Sequence, residues 1–154
     1  MDYIKIVKRP NIENDKKLLV NYQNFENLLS ELEQKEMPSG INNFINQEIE
    51  AINSFSGTNA ELSKKIRKTL SGILKHVEKD LKLVPKNYYR GLWLALGMSA
   101  FGIPIGFAIA LSLGNIAFLG TGFPIGMGIG VAVGTAMDKK AMNTGKQLDF
   151  EMKY

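Results

Sequence analysis

Along the first 85 residues, hydrophobic positions recur every three or four places. Leu18, Leu19, Tyr22, Phe25, Leu28, Leu29 and Leu32 fall on one face if residues 11–36 are helical, and Pro38-Ser39-Gly40 stops that pattern. A second stripe of Ile41, Phe44, Ile45, Ile49, Ile52 and Phe55 predicts a helix over about 41–55, with a polar face rich in Asn and Glu, ending at Ser56-Gly57. A third stripe, Leu62, Ile66, Leu70, Ile73, Val77 and Leu81, predicts a helix over about 58–84. Thr58 and Glu61 stand in capping-box spacing at its start, and Pro85 lies at its end. The opening YIKIVK reads as a short strand or a loose segment. Three helices with one apolar face each must bury those faces against one another, which predicts a small antiparallel bundle. At about 80 residues such a bundle is only marginally stable alone.

From Gly91 to Met137 the alternation gives way to 47 consecutive residues without Asp, Glu, Lys, Arg or His, holding 11 of the chain's 15 glycines. A membrane-spanning helix needs roughly 20 apolar residues, so this run is long enough for two spans and too long for one. It is also too deep in the chain for a secretory signal peptide, and MDYIKIVKRP has no apolar core of that kind. The fold class read from the pattern is all-α: an N-terminal three-helix soluble region, 1–87, then a transmembrane helical hairpin, 88–137, and a short polar tail, 138–154.

The run contains the same phrase twice, GIPIGFAIALSLG at 102–114 and GFPIGMGIGVAVG at 122–134. Gly102, Gly106, Ala110 and Gly114 repeat every four residues in the first copy, and Gly122, Gly126, Gly130 and Gly134 in the second. Residues four apart share a helix face, so each copy carries a groove of small residues, a glycine zipper. Lipid tails are as apolar as leucine, and helices in a bilayer therefore associate by close backbone approach rather than by expelling water. A second small row, Ala108 and Ser112 in one copy and Gly128 and Ala132 in the other, lies nearly opposite the first. One face is then expected to serve the partner helix and the other a second chain. On this reading Gly106→Leu or Gly126→Leu weakens association and Lys75→Ala does not. Paired strands would fit the small-large alternation but would leave backbone groups unsatisfied in lipid.

Gly114-Asn115 at the midpoint predicts the turn, with helices at about 91–113 and 116–137. That turn sets Pro104 and Pro124 at one depth and places Gly102 and Gly106 opposite Gly126 and Gly122. Tyr88, Tyr89, Arg90 and Trp93 are interfacial anchors at the first entrance.

Charge sharpens the picture. Residues 1–59 carry a net −3, whereas residues 60–90 carry 9 Lys+Arg against 3 acids, a net +6 beside the apolar run. Lys75, Lys79, Lys82, Lys86 and Arg90 before the hairpin, and Lys139 and Lys140 after it, are expected at an anionic membrane surface. The turn has no charge, so both termini are expected in the cytoplasm, with the hairpin in a bacterial inner membrane.

LGMSAFGIPIG, SLGN, FPIGMGIGVAVGTAMDKKA and GKQLD resemble an uncharacterised bacterial glycine-zipper family of small two-span membrane proteins, over residues 84–150. The resemblance implies tight membrane packing and no particular activity. GMGIGVAVG is also similar to the inner helices of rotor-ring c subunits, but no intramembrane carboxylate is present for ion transport of that kind.

Candidate chemistry is sparse. Cysteine is absent, His76 is the single histidine and reads as a surface residue, and Glu31, Glu33 and Glu36 read as solvated helix positions. GIPIG and GFPIG are followed by no Lys-Ser/Thr and are not phosphate loops. No aromatic platform accompanies the basic stretch 64–90, so no nucleic-acid partner is expected. The expectation is a non-enzymatic membrane protein without cofactor or metal. It self-associates as a scaffold or small pore, the latter lined by Ser112, Thr121 and Thr135. A cytoplasmic protein partner is expected to dock on the N-terminal helices. The alternative is a membrane-inserting toxin or effector kept soluble by a chaperone.

Overall fold

A computed structural model describes residues 3–10 and 12–152. The described residues are all-helical in class, and their five α-helices are α1 (Lys16–Glu33), α2 (Ser39–Asn53), α3 (Asn59–Leu81), α4 (Tyr88–Ser112) and α5 (Ile116–Asn143). They divide into two units. The first is residues 1–85 joined by 148–154, and the second is residues 86–147.

In the first unit the three predicted stripes make the core: Tyr22, Phe25, Leu28 and Leu32 of α1, Ile45, Ile49 and Ile52 of α2, and Leu62, Ile66, Leu70, Ile73 and Val77 of α3 are buried. Helix ends obey local chemistry more closely than stripe lengths. Helix α1 starts only at Lys16, because the Asp15 carboxylate accepts from the Leu18 N–H at 3.0 Å, and a 3-10 turn, Ile12–Asn14, precedes it. Residue 11, where that helix was expected to begin, lies outside the described residues. The capping box on α3 is present: Glu61 N–H donates to the Thr58 hydroxyl, and Thr58 N–H donates to the Glu61 carboxylate at 2.8 Å. Bonds from the Thr58 backbone and hydroxyl hold the Glu61 carboxyl below its ordinary value. Helix α3 ends at Leu81, before Pro85 can act, because Lys82 takes a left-handed conformation, φ 59°.

Residues 3–9 and 148–150 join this unit in ways the stripes do not reveal. Residues 3–9 have no regular secondary structure and are tied to asparagines of α2 that are spaced to share a helix face. Asn46 accepts from the Ile4 N–H at 3.0 Å, Asn53 accepts from the Val7 N–H at 2.8 Å and donates to the Lys5 carbonyl, and Asn42 accepts from the Tyr3 hydroxyl at 2.9 Å. A side-chain amide carries the same donor and acceptor as a peptide group, so these asparagines replace a neighbouring strand. At the other end Leu148 N–H donates to the Val84 carbonyl at 2.9 Å, and Leu148 and Phe150 are buried in the core of the unit. The tail therefore departs from the sequence reading of a polar surface segment, because its apolar residues at alternate positions find a place among the helices. Two of the carboxylates read as solvated hold the ends: Glu33 accepts from Tyr3 N–H, and Glu31 from Asp149 N–H. Residues 153 and 154 of the tail lie outside the described residues.

The second unit is the helical hairpin. Helix α4 runs as an α-helix from Tyr88 to Leu96, widens into a π-helical turn over Gly97–Gly102, and resumes from Ile103 to Ser112. Pro104 accounts for the widening: it has no N–H to offer the Ala100 carbonyl, and its ring crowds that group. The Ile103 N–H reaches back to Met98 instead. At the far end Asn115 N–H bonds to the Ala110 carbonyl and Gly114 N–H to Leu111, a Schellman closure with Gly114 at φ 62°. Asn115 then caps the second arm, its side chain accepting from Ala117 N–H at 2.9 Å. Helix α5 begins with a 3-10 stretch, Ile116–Thr121, and continues as an α-helix over Gly122–Asn143, past the expected end at 137.

Candidate functional site in the helical hairpin

The two arms touch through glycines. A Cβ on Gly122 would strike the backbone of Gly102 and Gly106, reaching Gly106 Cα at 2.6 Å. One on Gly126 would meet Gly102 N at 2.6 Å and Cα at 2.7 Å. Farther from the turn, Gly130 lies against the backbone of Trp93, and Gly134 against Tyr89 and Arg90. Gly106 faces the Leu119 carbonyl, and Gly102 faces Gly122 and Phe123. The expected pairing of Gly102 with Gly126 and of Gly106 with Gly122 is therefore the geometry found.

The structure places two positions differently, Gly114 and Gly97. Gly114 is exposed with open space around it, so its work is the left-handed turn and not helix packing. Ala110 is buried, and its carbonyl closes that same turn. Gly97 was absent from the sequence row, yet a Cβ there would hit the Gly126 carbonyl and lie 2.8 Å from Gly130 Cα. It stands five residues before Gly102, and the π turn supplies the extra residue that brings both onto one face. A Pro two residues after a glycine pair spaced by five is the signal that could have found it. The two prolines, expected at one depth, stand in different surroundings. Pro104 follows the π turn of α4, whereas Pro124 follows the 3-10 stretch that opens α5.

Asp138 closes the base of the hairpin. Only 8% exposed, its carboxylate accepts from the Tyr89 N–H at 3.0 Å and the Arg90 N–H at 2.9 Å. Asn87, the residue before α4, is left-handed and offers no side-chain cap, so an acid from the other helix satisfies the orphan donors and the positive end of the helix dipole. The uncharged run stops one residue short of Asp138, and nothing in its neighbourhood in sequence marks it as a cap.

The opposite faces are open. Ala108, Ser112, Gly128 and Ala132 are exposed, and nothing lies within 4 Å of a Cβ built on Gly128. Phe101, Ile103, Phe107, Leu111, Leu113, Ile116, Phe118, Ile125 and Met127 are also exposed. Ser112 and Thr121 hydroxyls bond back to the carbonyls of Ala108 and Phe118. Of the cations of this unit, Lys86, Arg90, Lys139 and Lys140 are exposed, as is Lys146 beyond the end of α5. Lys75, Lys79 and Lys82 are exposed on and just after α3 in the other unit. His76 is exposed, its ring 4.5 Å from that of Phe44. Among the described residues no three His, Cys, Asp or Glu gather as metal ligands.

These features define an all-helical protein with two helices, Tyr88–Ser112 and Ile116–Asn143, long and apolar enough to cross a membrane. No family model, curated protein or solved structure matches the chain.

Proposed function

We propose that the protein is a non-enzymatic, two-span integral protein of the bacterial inner membrane, with both termini cytoplasmic, that self-associates through its glycine-zipper hairpin as a scaffold or small homo-oligomeric pore. The observation that carries this reading is the hairpin's outer surface. Only 22% of the most apolar window of α4 and 17% of that of α5 is buried, so the hydrophobic side chains face outward rather than into a core. Lipid supplies the solvent those side chains need, and the basic base of the hairpin suits a negatively charged leaflet. The inner glycine row is consumed by the chain's own two arms. Self-association therefore falls to the outer row of Ala108, Ser112, Gly128 and Ala132, where a second backbone has room to approach.

This moves the informative substitutions. Gly106→Leu and Gly126→Leu disrupt the hairpin itself, whereas Gly128→Leu and Ala132→Leu block the outer face and leave the hairpin intact. Native mass spectrometry in lipid nanodiscs should show a discrete multimer for the natural chain and monomers for the two outer-face variants. Monomers throughout would refute self-association, and ion flux across liposomes separates a pore from a scaffold.

A further inference from the structure

The basic stretch begins well before the cations expected at a membrane surface, and its first part has a structure of its own. Along α3 in the first unit, Lys64, Arg67 and Lys68 converge with Lys17 of α1 on one cavity of about 580 Å³, with the hydroxyl-bearing Ser63 and Ser71 in its wall. No carboxylate of the described residues comes within ion-pairing distance of any of the four cations. Asp15, the acid in the same wall, already accepts the Leu18 N–H as the cap of α1. Four cations against one engaged acid leave the cavity strongly positive, and a concave wall focuses that field. Lysines are point donors, whereas the guanidinium of Arg67 presents a planar fork matched to two oxygens of one phosphate.

We propose that this cavity is a binding site for a phosphate-bearing ligand. The shared chemistry is a compact phosphate dianion or monoester, supplied either by a phospholipid headgroup or by a soluble phosphate. The volume exceeds that of one phosphate and leaves room for the group esterified to it. The exposed Ser71 hydroxyl completes the set as a neutral donor to the phosphate oxygens, whereas the buried Ser63 hydroxyl already accepts from the Asn21 amide at 2.6 Å. The site belongs to the first unit and does not depend on the hairpin crossing a membrane.

The test uses the full chain, isotopically labelled, in nanodiscs of phosphatidylcholine alone and of phosphatidylcholine with phosphatidic acid. Incorporation into the discs reports on the hairpin, and amide shifts of Ser63, Lys64, Arg67, Lys68, Ser71 and Lys17 report on the cavity, so the two readings fail separately. Should the chain not enter discs, the phosphate titration is made on the protein in buffer. Saturable shifts at these amides on adding inorganic phosphate support the site with a soluble ligand. The same shifts in phosphatidic acid discs without added phosphate support a headgroup. The triple variant Lys64→Gln/Arg67→Gln/Lys68→Gln changes only exposed side chains to another good helix former and should weaken phosphate binding at least about tenfold. Lys5→Gln, an exposed cation remote in sequence from the cavity, should leave it unchanged. Shifts reproduced by sodium chloride at equal ionic strength, shifts that persist in the triple variant, or no shift with either source would overturn the proposal.

Discussion

Replacing Gly126 by alanine places a methyl group where the backbone of the other arm already lies. The new carbon would sit 2.7 Å from Gly102 Cα and 2.6 Å from Gly102 N, with the Gly97 carbonyl closer still. Two carbons prefer about 3.5–4.0 Å, so α4 and α5 must separate by roughly 1 Å, a gap that forfeits a quarter to a half of each contact's attraction along the seam. Overpacking of this kind costs about 1–3 kcal/mol, against which alanine returns up to about 1 kcal/mol of helix propensity. With the full propensity gain, the net expectation is a loss of up to about 2 kcal/mol. Gly128, two residues on, has nothing within 4 Å, so the same substitution there keeps the propensity gain and no clash opposes it. The assay is dodecyl sulfate titration of the protein in mild detergent, read by fluorescence of Trp93, the single tryptophan, whose carbonyl faces Gly130. Gly126→Ala should lower the midpoint and Gly128→Ala should hold or raise it. If both variants moved together, the arms would not be in backbone contact at Gly126, and the reasoning from close approach would be wrong.

Three further outcomes are expected. Asp138→Ala removes two charge-assisted bonds to the start of α4 and should cost about 1–3 kcal/mol in the same titration, with Asp138→Asn losing less because its amide oxygen still accepts; equal stability of all three proteins would remove Asp138 as the cap. Phe150→Ala should destabilise the N-terminal unit by about 3–5 kcal/mol although it lies far along the chain, since the ring is 2% exposed in that core; urea unfolding followed by amide exchange at α1 and α3 measures it. Burial raises the Tyr3 hydroxyl above its ordinary value, aided by the Glu33 carboxylate, and burial also raises Tyr22 despite the opposing Arg9. The neutral phenols thus favour the folded state: their contribution is full below the unfolded value of about 10 and is lost as pH rises through the higher folded value. Tyr3→Phe should flatten part of that alkaline loss above about pH 10, and an unchanged pH profile would show that Tyr3 is not its source.

Much of the architecture was legible because burial repeats with the helix. The stripes on α1, α2 and α3 lie in the core, the Thr58–Glu61 box is made, and Gly114-Asn115 turns the hairpin, since each depends on neighbours within a few residues. The glycine row and its pairing across the turn were legible for the same reason, a spacing of four carried symmetrically from a fixed midpoint. What escaped depended on contacts between distant segments. Gly97 joins the packing face only because Pro104 forces a widened turn between them. Asp138 becomes a cap only when α5 brings it beside Tyr89 and Arg90, and Asn42, Asn46 and Asn53 become a ladder only when residues 3–9 lie along them.

By itself, then, the sequence determined the helical class, the uncharged hairpin and the face on which its arms meet, because periodicity and composition are local quantities that solvent reads directly. Tertiary structure alone decided which polar groups are spent on closing the fold and which stay open to a ligand. A hydrogen bond between residues 48 or 118 positions apart leaves no periodic trace in the chain. The same holds for the gathering of Lys17 with Lys64, Arg67 and Lys68: their charges are visible in the sequence, but their convergence on one cavity follows from packing α1 against α3.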